Sequence, residues 1–506
     1  MSQNLSRTHF KALRYLIQVD GSEGTLLPVL PQILDAYFRI MTEIGHDGVV
    51  EALQAIIDKF GNHIEPHAVA LVTQLASQFS NYCIVGDDDD DAAMAAAQCL
   101  ECISTVLKGT CEKPEIYNLM YPQLIPLVLK ILGNDGDFVE YLEYGLDILT
   151  FLTYFPETIA PQLWEAFPLI YTAFDQWAFD YINMMIPPLE NFIGKAPQQF
   201  IMGTTANGTK FIDLVFKMVV KAVSEDQHNE SEGRKALSLY MTLLHYCTGM
   251  VDNYLPAMND ILLLKLSQQN NTSSPLTRIS IFQVLGSALY YNPQLELQEL
   301  EKRGVTQQVF TQWLQDTAKM EKWLSRKLTL LGFTSILKLP TSSIPPSIAS
   351  SLPQFITEIV KMTHKMKADL DNEGNNTDEG EDNQLSDLDD NEDEDDEGVG
   401  EDEDVPDENY MSVLHKMSSE GGDMSAFLYG DFYDDDDDFD ENFSSPVDDI
   451  NYLLYVNDGL KEAFQREPEV SIIEINSFSN NNKYIKYQFV VHFFPGLSTA
   501  STSPSA

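Results

Sequence analysis

Positive charge is scarce in this chain. Of its 506 residues, 31 are Lys or Arg and 78 are Asp or Glu, for a formal net charge of -47. The shortage is uneven. Residues 1–368 hold 26 of the bases and 39 of the acids, a net of -13, while residues 369–506 hold 5 bases and 39 acids, a net of -34. Affinity for nucleic-acid phosphates comes mainly from Lys and Arg, so direct nucleic-acid binding is not expected. The same balance favours partners that are themselves basic. Long apolar runs are missing too, so no segment is expected to span a membrane. The opening "MSQNLSRTHFKALRYL" lacks the apolar stretch of a signal peptide. The five cysteines make no disulfide framework and suit a reducing compartment. Triplets such as Asn271-Thr272-Ser273 then read only as polar loops.

Catalytic signatures are also lacking. Neither G-x-G-x-x-G nor G-x-x-x-x-G-K-[ST] occurs, so no glycine loop is expected to cradle a phosphate. G-x-S-x-G is missing as well. Cys99 and Cys102 form one C-x-x-C with only Cys111 near it, too few ligands for zinc; they read as buried structural cysteines on one helix face. His63 and His67 have helical spacing, but Pro66 lies between them, and they read as a polar helix junction. No catalytic residue, cofactor or metal is expected, and an enzyme is the least favoured class.

What the sequence does hold, over its first 368 residues, is helix after helix. Val139, Leu142, Leu146, Leu149 and Leu152 recur at steps of three and four, as do Trp164, Phe167, Ile170 and Phe174. Leu214, Met218, Val219 and Val223 follow the same period, and so do Leu237, Tyr240, Leu244 and Cys247. Short polar links such as "GNDGD" (133–137) and "YNPQ" (291–294) separate them, with Pro161 and Pro293 placed to open helices. The pairs recur about every 40 to 47 residues, the period of HEAT repeats, so roughly eight or nine pairs fit. The expectation is an all-α HEAT-repeat superhelical solenoid over residues 1–368 with a concave binding surface. A helical bundle is the alternative.

Residues 369–445 form an acidic region too charged to offset its chain entropy by burial, and are expected to be disordered. Two apolar islands, "YMSVLHKM" (410–417) and "MSAFLYGDFY" (424–433), read either as transient docking segments or as part of that disorder. A short helix is expected within residues 446–469, starting at Ile450 with Asp448 or Asp449 as its N-cap. Residues 470–506 turn to β-branched and aromatic types and stay unassigned, readable as a strand pair, a translated intron or a wrong reading frame. The candidate contacts for a basic partner are Asp87, Asp88, Asp89, Asp90 and Asp91, expected in an inter-helix loop, and Asp434, Asp435, Asp436, Asp437 and Asp438.

Four segments carry a family likeness. "PQLWEAFPLIYTAFDQWAFDYINMMIPPLENFI" (161–193), "SALYYNPQLELQEL" (287–300), "FTQWLQD" (310–316) and "RKLTLLGFTSIL" (326–337) resemble importin-β superfamily receptors of the importin-7/importin-8 type. The order of helical repeats, acidic stretch and "PVDDINYLLYVNDGL" (446–460) is similar as well. The resemblance implies a nuclear import receptor of HEAT repeats, moving between cytoplasm and nucleus through the nuclear pore. It implies FG-nucleoporins, Ran GTPase and basic cargo such as ribosomal proteins and histones as partners, with cargo released by Ran-GTP. It further implies a C-terminal half, the main Ran contacts lying in N-terminal repeats outside it. An acidic chaperone for basic proteins and a generic HEAT scaffold are the competing readings.

Overall fold

The computed structural model describes residues 21–44, 47–85, 90–111, 113–224, 230–269, 275–376, 445–466, 476–478 and 486–488, with isolated positions 15, 17 and 19. The chain divides into two compact units, residues 1–268 and 269–506.

The first unit is built of helical hairpins. Its helices are α1 (Leu30–Ile44), α2 (Asp47–Phe60), α3 (Ala68–Val85), α4 (Asp90–Gly109), α5 (Tyr117–Leu132), α6 (Leu142–Tyr154), α7 (Ala166–Gln176), α8 (Ile182–Lys195), α9 (Phe211–Ser224), α10 (Glu230–Tyr246) and α11 (Leu255–Gln268). Each odd helix packs on the even helix that follows it, through α9 on α10. The hairpins then stack in two layers: α2, α4, α6, α8 and α10 touch in sequence along one, and α1, α3, α5, α7, α9 and α11 along the other. Starts of the odd helices at residues 68, 117, 166, 211 and 255 lie 49, 49, 45 and 44 residues apart. That spacing is close to the HEAT period and well above the roughly 34 residues of a tetratricopeptide hairpin.

Periodic apolar positions explain the stacking, because a lone hairpin leaves one apolar face uncovered. Leu142, Leu146, Leu149 and Leu152 of α6 are all fully buried. Val139, counted with them from spacing, is exposed: the chain there is a 3-10 turn, Val139–Tyr141, and α6 begins at Leu142. Between α7, α8 and α9 the core is aromatic. Phe167 lies 4.5 Å from Phe211 between ring centroids, and Trp164 lies 4.8 Å from Phe192. Cys99 and Cys102 are buried in α4. In the α5–α6 link, Asp135 and Gly136 both take positive φ, 50° and 93°, a conformation glycine adopts without steric cost.

The second unit holds α12 (Pro275–Tyr291), α13 (Pro293–Lys302), α14 (Thr306–Asp316), α15 (Trp323–Lys338), α16 (Leu352–Asn376) and α17 (Tyr452–Arg466). Pro293 opens α13 as its position suggests, with the Asn292 side chain accepting from the Leu295 amide at 3.1 Å. Helix α15 is the hub: α12, α13, α16 and α17 all pack on it. Residues Leu324 to Leu337 of α15 and Thr277 to Leu289 of α12 are buried without a break. Two glycines let these helices meet at backbone distance. A Cβ on Gly286 would lie 2.7 Å from the Leu328 carbonyl oxygen, and one on Gly332 would lie 2.9 Å from Gly286 Cα. At one end, Arg278 and Asp316 form an ion pair at 2.8 Å with both side chains about 5% exposed. Burial pushes the Asp316 carboxyl up, but Arg278 and Lys319 outweigh it and hold it below the usual range.

Three boundaries differ from the sequence expectation. Helix α16 runs to Asn376, past the limit set at residue 368. The C-terminal helix starts at Tyr452 rather than Ile450. Its cap is Asn451, whose Oδ1 accepts from the Leu454 amide at 3.1 Å, while Asp448 accepts from the Ser445 amide at 2.6 Å in the preceding turn. Asp90 and Asp91, expected in a loop, are the first residues of α4, where the helix dipole favours negative charge. Residues 377–444, both apolar islands included, lie outside the described residues. In the terminal segment, β1 (Asn476–Phe478) and β2 (Lys486–Gln488) pair antiparallel, Ser477 opposite Tyr487. Among the described residues, one strand pair is thus added to the helices.

Candidate functional site

The sequence-derived candidates are not brought together among the described residues. Asp87, Asp88 and Asp89 lie outside them, as do Asp434 through Asp438. Only Asp90 and Asp91 are placed, at the start of α4.

The layer made by α4, α6 and α8 carries a different set of acids. Glu101 on α4 is exposed, and Glu143, Tyr144 and Asp147 on α6 are half-buried. All three carboxyls are pushed above their ordinary range. For Glu101 the cause is burial, opposed by Lys108. For Glu143 it is burial and then the charge of Asp147, and for Asp147 it is burial, opposed again by Lys108. The Tyr144 hydroxyl is raised by burial and by Glu101, Glu143 and Asp147 together, so the four groups share one neighbourhood. Lys108 supplies the counter-charge that Glu101 and Asp147 feel. Its ammonium also sits 5.5 Å from the centroid of the Phe151 ring. Further along the same layer, Glu190 of α8 is half-buried against α10 and accepts from the Thr242 hydroxyl at 3.1 Å. Burial raises it to about 7, with the Ser238 and Thr242 hydroxyls opposing.

This arrangement is short of positive charge on a folded surface. Glu143 and Asp147 are partly stripped of water, and the charge of Asp147 acts on Glu143. A Lys or Arg from elsewhere would relieve both effects, and its approach is favoured at short and long range. Among the described residues no group of three His, Cys, Asp or Glu side chains is placed to hold a metal ion, and no helix is long and apolar enough to cross a membrane. Sequence reasoning missed this group because its signal is faint. Glu143 and Asp147 show like charges at i, i+4, an unfavourable pair for an isolated helix. Glu101 joins them only once α4 is stacked on α6.

Comparisons with known proteins point to importins. The family model "Importin-11-like, TPR repeats" matches residues 115–409, more than half of the chain. The Importin beta-like SAD2 homolog of Arabidopsis thaliana is 30% identical over 469 residues, covering 88% of this chain and 44% of its own length. The probable importin-7 homolog of Dictyostelium discoideum is 27% identical over 331 residues, 65% of this chain and 30% of its own. Importin-8 of Homo sapiens is 26% identical over 365 residues, 69% of this chain and 33% of its own. The chain therefore spans less than half the length of these curated relatives. Stacked hairpins at the HEAT period and a family match running from α5 into the acidic run place the chain in the importin-11-like repeat family of the importin-β superfamily.

Proposed function

We propose that this chain is part of a nuclear transport receptor that carries basic proteins, such as ribosomal proteins and histones, from cytoplasm to nucleus. Membership of the importin-11-like family is the observation that carries the reading. The relatives' names, importin-7 homolog and importin-8, support the transport role. The choice of basic cargo rests on charge. Residues 369–506 carry a net of -34, and Glu101, Glu143 and Asp147 add raised carboxyls on the folded surface. Cargo is carried, not transformed, and the acids serve as counter-charge. Passage through the pore would use FG-nucleoporins, and release in the complete receptor would use Ran-GTP.

The acidic run by itself favours a second reading, an acidic chaperone that shields basic proteins without engaging the pore. Capture on immobilised FG-repeat peptide separates the two. The receptor reading expects the chain to be retained, and to be retained equally when the acids of residues 377–444 are changed to Asn and Gln. A chain that binds basic polypeptides yet passes through the FG matrix unretained would leave the chaperone reading standing.

A further inference from the structure

Both borders of the acidic run end on the same helix. On the α16 side, Arg326 of α15 donates to Asp369 at 2.5 Å. The next residue, Lys327, reaches the other border, where its ammonium donates to the Asp448 carbonyl at 2.8 Å. Lys327 is buried. Burial lowers its pKa, while Asp448 and Asp449 act in the opposite sense. The contact continues along α15. The Ser335 and Tyr455 hydroxyls share a hydrogen bond at 2.8 Å, and the Lys338 ammonium sits 3.5 Å from the centroid of the Tyr455 ring. Gly459 allows the closest approach of the two helices: a Cβ there would fall 2.3 Å from Thr334 Cγ2. Tyr452, Val456 and Leu460 are buried on the α17 side.

The contacts named between α15 and residues 445–466 thus join segments more than a hundred residues apart in the chain, and α17 also meets Tyr290 of α12, 5.6 Å from Tyr455 between ring centroids, and α16. We propose that this face of α15 is a helix-receiving site and that residues 445–466 are its self-sufficient occupant, held without help from the connecting chain. The site recognises an amphipathic helix, with tyrosine on its buried side and a glycine at the crossing, that is led in by a turn offering a carbonyl to Lys327. Asp369 and Asp448, on the two sides of the acidic run, are then both fastened to α15. The inference does not depend on which partner the acids of that run meet.

Cutting the connection tests it. A specific-protease site is placed within residues 390–400 of the full chain, the chain is cleaved, and the products are run on a sizing column at micromolar concentration. The C-terminal piece should stay with the body in a complex of one copy each. Lys327→Met removes a hydrogen bond from a charged donor and should weaken retention by about tenfold or more. Gly459→Val overpacks the crossing and should weaken it to a similar degree. Because Gly459 lies on α17, that variant leaves the body's own packing untouched, which circular dichroism verifies. The proposal fails if the wild-type C-terminal piece elutes alone, or if both variants hold it as tightly as wild type. An uncleaved chain that elutes as a dimer and exchanges α17 between copies would also overturn the intrachain assignment.

Discussion

Glu190 shows how a single stacked hairpin sets the state of one group. Its carboxyl lies between α8 and α10, receives the Thr242 hydroxyl, and is raised by burial from 4.5 to about 7. The folded chain therefore holds a proton that the unfolded chain has released. The stability this group contributes is fully present below pH 4.5 and is lost as pH rises to about 7, by on the order of 1 kcal/mol per pH unit between those values. Glu190→Gln stays neutral at every pH and keeps an acceptor for Thr242. Its stability relative to wild type should rise from pH 5 to pH 8 in urea unfolding, and parallel pH profiles would refute the assignment. The sequence shows none of this, because Glu190 stands in "PPLENFI" as an ordinary polar position on an amphipathic helix. Only the partner helix half-buries it.

Most of the elements that were legible in the sequence have a wetter face. Leu142, Leu146, Leu149 and Leu152 announce α6 by their period, and the same contrast marks α7 and α9, whereas α10 shows the period at Leu237, Tyr240 and Leu244 although Ala236 to His245 are buried throughout. Helices α12 and α15 lack that contrast. They are covered on all sides, so small and polar residues such as Ser287, Thr329 and Ser335 sit in the core among the Leu and Phe. Their glycines likewise gave no sign that two backbones would meet. Gly286→Ala brings a methyl group against the Leu328 carbonyl oxygen, a backbone atom that cannot rotate away. The second unit should lose about 1–3 kcal/mol, read as a lower unfolding midpoint with an unchanged helical spectrum at low temperature. A variant as stable as wild type would mean that α12 and α15 do not cross at that point.

At the scale of the whole molecule, the dominant fact is the placement of charge. The repeat bodies, at a net of -13 over residues 1–368, are mildly acidic, and the remainder carries -34. That division was plain in the sequence because counting needs no geometry. The folded acids were not, since Glu101, Glu143 and Asp147 lie on two helices that only the repeat stack sets side by side. Polyanions attract polycations over about a Debye length, roughly 10 Å at 0.1 M salt, and hasten encounter more than they fix a pose. The most direct test of this account is a salt series. A basic peptide such as a histone tail is titrated against the full chain and against a chain whose acids in residues 377–444 are changed to Asn and Gln. The account predicts that affinity for the full chain falls steeply as salt rises and that the neutralised chain binds more weakly with a shallower slope. It further predicts that adding Glu101→Gln, Glu143→Gln and Asp147→Asn weakens what remains. Equal binding by the intact and neutralised chains at every salt concentration would contradict it.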